Sequence, residues 1–254
     1  MFGVMKRKWC IASLAVSETG KVRKDNQDAF FADAAKTLFC VADGMGGGSE
    51  GATASRFVCE EIARAAESAD MPLRMKAVDE SIATANARIL AYARGKGFKQ
   101  MGSTVAVLLL DPTRPGRAAI CHVGDSRIYR VRRGCAELLT KDHTIGGQLS
   151  ELATGEQAAG LRSRKNPLAH VLTRAIGVEE RVSGDWRKID VEKDDAFLVC
   201  SDGVHDVVAD SLLGEILTVS ESLETASKRL SDEIVRNGAP DNYTYVMIEI
   251  GGVK

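Results

Sequence analysis

Residues 37–51 read TLFCVADGMGGGSEG. The apolar run Leu38–Ala42 ends on Asp43 and passes at once into a glycine-rich turn. An apolar run bounded by turn residues reads as a buried strand. Beyond it, from about Ala52, the period changes: Phe57, Val58, Ile62 and Ala65 fall at helical spacing. Before it, residues 28–33 form another short apolar run, so 28–33 and 37–42 read as a hairpin-like pair. A carboxylate at the end of such a strand is costly to bury unless it has a partner.

Outward from this stretch the pattern is strands, two helices, strands, helices and a final strand. Residues 9–16 read as the first strand. A second helix carries Met71, Met75, Val78, Ile82, Ala85, Ile89 and Tyr92 on one stripe, the pattern of core packing. GSTVAVLLL (102–110) reads as a buried strand. RAAICHVGDS (117–126) and SRIYRVRRG (126–134) read as a pair, which AELLT (136–140) continues as a meander. Residues 145–168 lack a clear period and read as an irregular surface excursion. Strands return at GDWRKIDV (184–191) and AFLVCSDG (196–203). Helical spacing follows around Leu212–Leu217 and through Leu223, Ala226, Leu230 and Ile234, and YTYVMIEI (243–250) closes as a strand. Regular crossover helices are missing between strands, which argues against a doubly wound parallel sheet. The expectation is an α+β chain, one domain over 1–254, with two antiparallel sheets packed together and helix pairs outside.

The bulk numbers exclude several classes. The 254 residues are 44% hydrophobic and 27% charged, average for a globular protein, and can bury a core without staples. A formal charge of −1 gives no field to draw nucleic acid, and the bases Arg127, Arg130, Arg132 and Arg133 read as a solvated strand edge that discourages edge pairing. The six cysteines form no C-x-x-C pair and mostly sit in apolar runs, so they read as buried reduced thiols; four scattered histidines argue against zinc. Lys6, Arg7 and Lys8 before WCIASLAV faintly mimic a secretory signal, but polar residues follow without a clear cleavage site. VAVLLL is far too short to span a bilayer. The expectation is a cytoplasmic protein with no membrane or nucleic-acid partner.

The chemistry is in the acids. Asp43 ends one strand, Asp125 follows another, Asp202 ends a third, Asp28 begins an early one, and Asp241 with Asn242 stands just before the last. One such aspartate is commonly a turn residue; several on one sheet rim make a cluster. Carboxylates, carbonyls and water are ligands of hard cations, hence Mg or Mn. Two such ions about 3.5–4 Å apart, bridged by a carboxylate, activate water for in-line attack. Arg is the expected companion for phosphate, and Arg23, five residues before Asp28, is the candidate.

The segments GKVRKDNQDAF, FCVADGMGG, GSTVAVLLL, CHVGDSRIYR, LTKDHT, VLTRAIG, FLVCSDGVHDVV and DNYT follow one another in an order that resembles the PPM, or PP2C-type, metal-dependent protein phosphatases. The resemblance spans nearly the whole chain. It implies an αββα sandwich with a binuclear Mn or Mg site in the cleft between the sheets. By similarity Asp43 bridges two ions, the Gly44 carbonyl helps hold one, and Asp202 and Asp241 hold the other. Asp28 acts through metal-bound water, Asp125 binds a weaker third ion, and Arg23 binds the substrate phosphate. A bridging water would attack phosphoserine or phosphothreonine directly, with no Cys or Asp nucleophile.

The sequence also departs from the family pattern. Gln27 stands where many members carry Glu. Met45 stands where animal members have a His proposed as general acid, so the leaving group must take its proton from water or elsewhere; Met is ordinary here in bacterial relatives. His205 reads as a helix-start residue rather than an acid, His122 as a sheet residue and His143 as a structural hydrogen-bonding residue. Asn242 and Thr244 read as ordering the loop of Asp241. Residues 145–167 correspond to the family's flap, where Arg162, Arg164 and Lys165 are either substrate contacts or a solvated face. The implied partners are phosphorylated proteins and a cognate bacterial Ser/Thr kinase, with a monomer as default. Two alternatives are a catalytically inactive phosphoprotein binder and a hydrolase of small phosphorylated metabolites.

Overall fold

The computed structural model describes residues 9–65, 70–162 and 166–253. Its strands form two sheets with antiparallel neighbours throughout. One runs, in spatial order, β1 (Trp9–Glu18), β11 (Tyr243–Val253), β10 (Ala196–Cys200), β7 (Arg127–Arg132) and β8 (Cys135–Leu138). The other runs β2 (Asp28–Asp33), β3 (Leu38–Met45), β5 (Val105–Leu110), β6 (Arg117–Val123) and β9 (Asp185–Asp190), with the short β4 (Gly102–Ser103) paired to β3.

Side chains alternate across a strand, so each sheet has two faces to cover. Phe39 and Val41 of β3 point between the sheets and meet Phe197, Val199, Val246 and Ile248. Leu38 and Cys40 point outward, under α1 (Ser49–Arg64) and α2 (Met71–Lys96), against Phe57, Ile62, Val78 and Ile82. On the far side, Leu198 and Met247 lie under α6 (Asp210–Val219) and α7 (Leu223–Arg236), against Leu213, Leu230 and Ile234. The layer order is helix pair, sheet, sheet, helix pair, as expected. Burial on both faces explains why β3, β5 and β10 read as continuous apolar runs rather than alternating ones. Each fully buried aliphatic or aromatic side chain contributes about 1.5–3 kcal/mol. Among the described residues no helix is long and apolar enough to cross a membrane.

Three expectations need correction. First, 117–126 and 126–134 do not pair with each other: β6 pairs with β5 and β9, and β7 with β10 and β8. The chain crosses from one sheet to the other through Gly124, whose φ is 97° and whose missing Cβ would stand 2.6 Å from Thr104 Cγ2. Periodicity shows that two strands are adjacent in sequence, not that they share a sheet.

Second, β7 is an interior strand, not a solvated edge. Arg127 is nearly buried and grips Asp142 with two nitrogens, Nε at 2.9 Å from Oδ1 and Nη2 at 2.6 Å from Oδ2. Arg130 pairs with Glu137 and Asp190, and Arg132 with Asp190, Glu192 and Asp195. Apart from Glu137 on the neighbouring β8, their partners lie well away in sequence, which is why the bases looked free.

Third, residues 145–168 contain helices: α3 (Ile145–Glu151), α4 (Gly155–Arg162) and a 3-10 turn over Pro167–His170. Thr144 Oγ1 accepts from the Gly147 N–H, and Asn166 Oδ1 accepts from the Leu168 N–H. α3 and the 3-10 turn are started by these caps, and all three segments are too short to show an apolar stripe. A bridge between Thr144 and Leu172 closes the base of the excursion. The cysteines are all free; Cys40, Cys59, Cys121 and Cys200 are buried as expected, while Cys135 is exposed.

Candidate metal centre

Register brings the acids together. Asp28 of β2 lies directly across from Asp43 of β3. Val105 pairs with Val123, so Thr104 and Gly124 leave the second sheet side by side, and Asp125 follows. Cys200 pairs with Tyr245, so the end of β10 and the start of β11 bring Asp202 and Asp241 to the same rim from the other sheet. The cleft between these rims has a volume of about 270 Å³ and is lined by Asp43, Asp125, Asp202 and Asp241, with Arg23 and Gly44. Asp28 sits just behind, where its Oδ2 accepts from Ser201 Oγ at 2.7 Å.

Hydrogen bonds hold these backbones in place. Thr104 Oγ1 accepts from the Asp43 N–H at 2.9 Å and shares a bond of 2.7 Å with Ser126 Oγ, tying the two crossings. Ser103 Oγ donates to the Asp43 carbonyl. Asn242 does more than order its own loop. Its Oδ1 accepts from the Gln27 N–H, and its Nδ2 donates to the carbonyls of Thr19 and Asp25, so it clamps the segment that carries Arg23. Gln27 donates from Nε2 to the Gly48 carbonyl and steadies the glycine turn. Gly44 packs so tightly that a Cβ would stand 2.0 Å from the Gly51 carbonyl oxygen.

The electrostatics are those of buried acids crowded together. Burial, then repulsion from Asp28, Asp202 and Asp125, lifts the Asp43 carboxyl well above the usual carboxylate range. Burial and Asp202 do the same to Asp125. Burial is also the main cause that raises Asp202 and takes Asp28 to about 7. Asp28 Oδ1 and Asp202 Oδ1 are buried and have no hydrogen-bond partner. Orphaned buried carboxylate oxygens are expensive unless a cation meets them. The donor set is all oxygen, which fits Mg or Mn and not a thiophilic ion. Arg23 is the nearby cation: its Nη2 donates to Asp241 Oδ2 at 2.7 Å, a bond that raises its pKa.

Among the described residues, two further clusters have metal-like spacing. His122, His143 and Asp185 lie close together, but the two rings are stacked at 4.6 Å. Arg174 already faces Asp185 Oδ1 at 2.7 Å there, so a cation is in place. His143 Nδ1 accepts from the Gly124 N–H, the structural role expected of it. His122 donates to or accepts from the Lys141 backbone on the sheet face. The second cluster, His170 with Asp202 and Asp206, borders the centre itself.

His170 is the residue that sequence reading missed. It ends the 3-10 turn of the excursion, lines the cleft, and has Nδ1 3.4 Å from Asp206 Oδ2. Its only sequence signal was its place beside VLTRAIG. His205, by contrast, is buried, with Nε2 bonded to the Asp125 carbonyl at 3.1 Å, so it props that aspartate. Met45 lines the cleft and offers no proton. The side chain of Arg162, and Arg164 and Lys165 entirely, lie outside the described residues.

Two antiparallel sheets carry an oxygen-only acid cluster at their shared rim, a donor set that fits a hard cation, with Arg23 beside it. The model of the protein phosphatase 2C family matches residues 19–238, and the chain belongs to that family. It is 30% identical over 237 residues to the serine/threonine protein phosphatase PstP of Mycobacterium tuberculosis, a match that covers 93% of this chain and 44% of PstP. The chain thus spans under half the length of that relative. Among solved structures it is similar to PppA, described as a key regulatory component of the type VI secretion system in Pseudomonas aeruginosa. The TM-score is 0.86 at 31% identity, covering 96% of this chain and 99% of PppA. It is also similar to the catalytic domain of PstP in complex with two manganese ions, with a TM-score of 0.81 at 29% identity, covering 95% and 99% of the two chains.

Proposed function

We propose that this chain is a divalent-metal-dependent phosphatase acting on phosphoserine and phosphothreonine in proteins. The observation that carries this is the convergence of five aspartates from both sheets on one rim, with Arg23 at its mouth. Asp43, the Gly44 carbonyl, Asp202 and Asp241 are the residues that would hold two Mn or Mg ions. Asp28, directly across from Asp43 in the register, would act through water rather than as a direct ligand, and Asp125 would be the ligand of a weaker third ion. The ions, when bound, supply an activated water and offset the charge of the phosphate.

The chain's own residues do the rest. Arg23 is half exposed and held by one carboxylate, so it can turn its fork to phosphate oxygens and orient the phosphoryl group. His170, which lines the cleft with Nδ1 3.4 Å from Asp206 Oδ2, is the residue that would hand a proton to the departing serine or threonine oxygen, the role that Met45 cannot fill. A cleft of about 270 Å³ takes a phosphate and one short side chain but gives a free metabolite few further contacts, which favours a protein substrate. Names of relatives such as PstP point the same way. An inactive phosphoprotein binder would have no need of the buried acids. The opposing partner is then a Ser/Thr kinase.

The test is hydrolysis of a phosphothreonine peptide with Mn and with chelator, for the wild type and for Asp43→Asn and Asp241→Asn. We expect turnover only with metal, and a loss of at least about a hundredfold in Asp43→Asn. Full activity after chelation, or in both variants, would refute the reading.

A further inference from the structure

A broad groove lies away from the metal centre. Helix α2 does not fully cover the outer face of the second sheet. Between its N-terminal half and the ends of β6 and β9 is an open groove of about 780 Å³. Met71, Pro72 and Met75 form one wall, Ala119 lies on the floor, and Trp186, whose Nε1 donates to Asp79 Oδ1 at 2.8 Å, ties α2 to β9 beside it.

The charges around this apolar groove are not balanced in their availability. The acids on its rim are engaged within the fold. Asp79 accepts from Trp186, Asp111 Oδ1 accepts from Thr113 and from the Arg114 N–H, and Asp190 pairs with Arg130 and Arg132. Arg114, Arg117 and Lys188 line the same groove, are exposed, and make no side-chain hydrogen bond or ion pair among the described residues. Three uncommitted cations over an apolar floor are complementary to a segment in which apolar residues are flanked by carboxylates.

Position says what such a segment belongs to. Strand β6 runs from Arg117 at the groove to Val123, one step before the Gly124–Asp125 crossing at the cleft. That separation is about 20 Å at about 3.3 Å per residue. A protein substrate can span it with a modest stretch of chain; a small phosphorylated molecule cannot. We infer that this groove docks an acidic, apolar segment of the phosphoprotein substrate, remote in sequence from the phosphorylated residue. This rests on the phosphatase reading above. Docking of this kind raises the local concentration of the phospho-residue at the metal centre without altering the chemistry.

The test uses three phosphothreonine peptides. One is short. The second adds, through about 12 Gly/Ser residues with a mean span of about 19 Å, a segment of alternating Leu and Glu. The third carries Lys in place of Glu. We expect the Glu form to have a KM at least about tenfold below that of the short peptide at equal kcat, and the Lys form to show no gain. In Arg114→Glu/Arg117→Glu/Lys188→Glu the gain should vanish while turnover of the short peptide, which also reports correct folding, stays unchanged. Fluorescence anisotropy of the labelled, unphosphorylated Leu/Glu segment measures the groove independently of catalysis. Equal KM for the Glu and Lys forms, or a gain that survives the triple reversal, would overturn the inference. So would a wild-type dimer that the reversal dissolves, which would assign the groove to a second copy of the chain. If no peptide is hydrolysed, the phosphatase reading fails while anisotropy still decides the docking site.

Discussion

Replacing one acid of the centre should damage function and stabilise the metal-free fold at the same time. Asp28 is the residue to use, because its carboxyl is taken to about 7 from an ordinary 3.8, first by burial and then by its neighbours. Unfolded, it ionises near its ordinary value; folded and without metal, it holds its proton until near neutrality. The folded state therefore binds the proton more tightly, and stability falls as pH rises from about 4 to about 7. Above pH 7 the full cost of ionising Asp28 is present, about 4 kcal/mol at about 1.36 kcal/mol per pH unit. Relaxation of the neighbouring acids reduces this to about 2–4 kcal/mol. Asp28→Asn removes the charge and keeps an acceptor for Ser201 Oγ, which now bonds Oδ2 at 2.7 Å. In chelator at pH 8, urea denaturation should show the variant more stable than wild type by about 2–4 kcal/mol. The difference should shrink towards zero by pH 4. With millimolar Mn the order should reverse, because wild type gains binding energy that the variant lacks. A variant no more stable than wild type at pH 8 in chelator, or a difference that ignores pH, would show that burial and the neighbouring acids do not hold the Asp28 carboxyl above its ordinary range.

Other outcomes follow from the same contacts. His170→Gln should slow phosphothreonine peptides at least about tenfold more than an aryl phosphate, whose leaving group needs no proton; equal losses on both substrates would remove His170 from that role. His143, buried beside Arg174, is pushed down to about 4 from 6.5, so it folds neutral and stability should fall as pH drops from about 6.5 to 4. His143→Gln should flatten that limb in acid denaturation, and an unchanged limb would contradict the buried neutral ring. Gly203→Ala places a Cβ 1.9 Å from the Asn242 backbone oxygen and should cost several kcal/mol, read by thermal denaturation. Asn242→Ala loses three hydrogen bonds to the Arg23 segment and should raise KM for a phosphopeptide more than it lowers kcat; the reverse split would place Asn242 in the chemistry itself.

By itself the sequence determined the layers and the acids. Leu38–Ala42, Val105–Leu110 and Ala196–Cys200 are apolar enough to be strands buried on both faces, and helical stripes at 57–65 and 78–89 can only cover them. Asp43 and Asp202 at strand ends, with Asp28, Asp125 and Asp241, were visible because the cost of burying an acid makes it conspicuous in an apolar context. Those are local signals, carried by neighbours in the chain. What the tertiary structure decided is which distant segments meet. Strands β6 and β7, adjacent in sequence, lie in different sheets, and that crossing is what aims Asp125 into the cleft. The bases of β7 looked free until Asp142, Asp190 and Asp195 came to them from elsewhere in the chain. Arg114, Arg117 and Lys188 look no different in sequence, yet among the described residues their side chains make no hydrogen bond or ion pair. His170 reaches the acid rim at the end of a capped 3-10 turn, invisible to periodicity, that sets it beside Asp206. Spacing along a chain fixes faces and ends; pairing across it depends on sheet assignment and register, which no local pattern encodes.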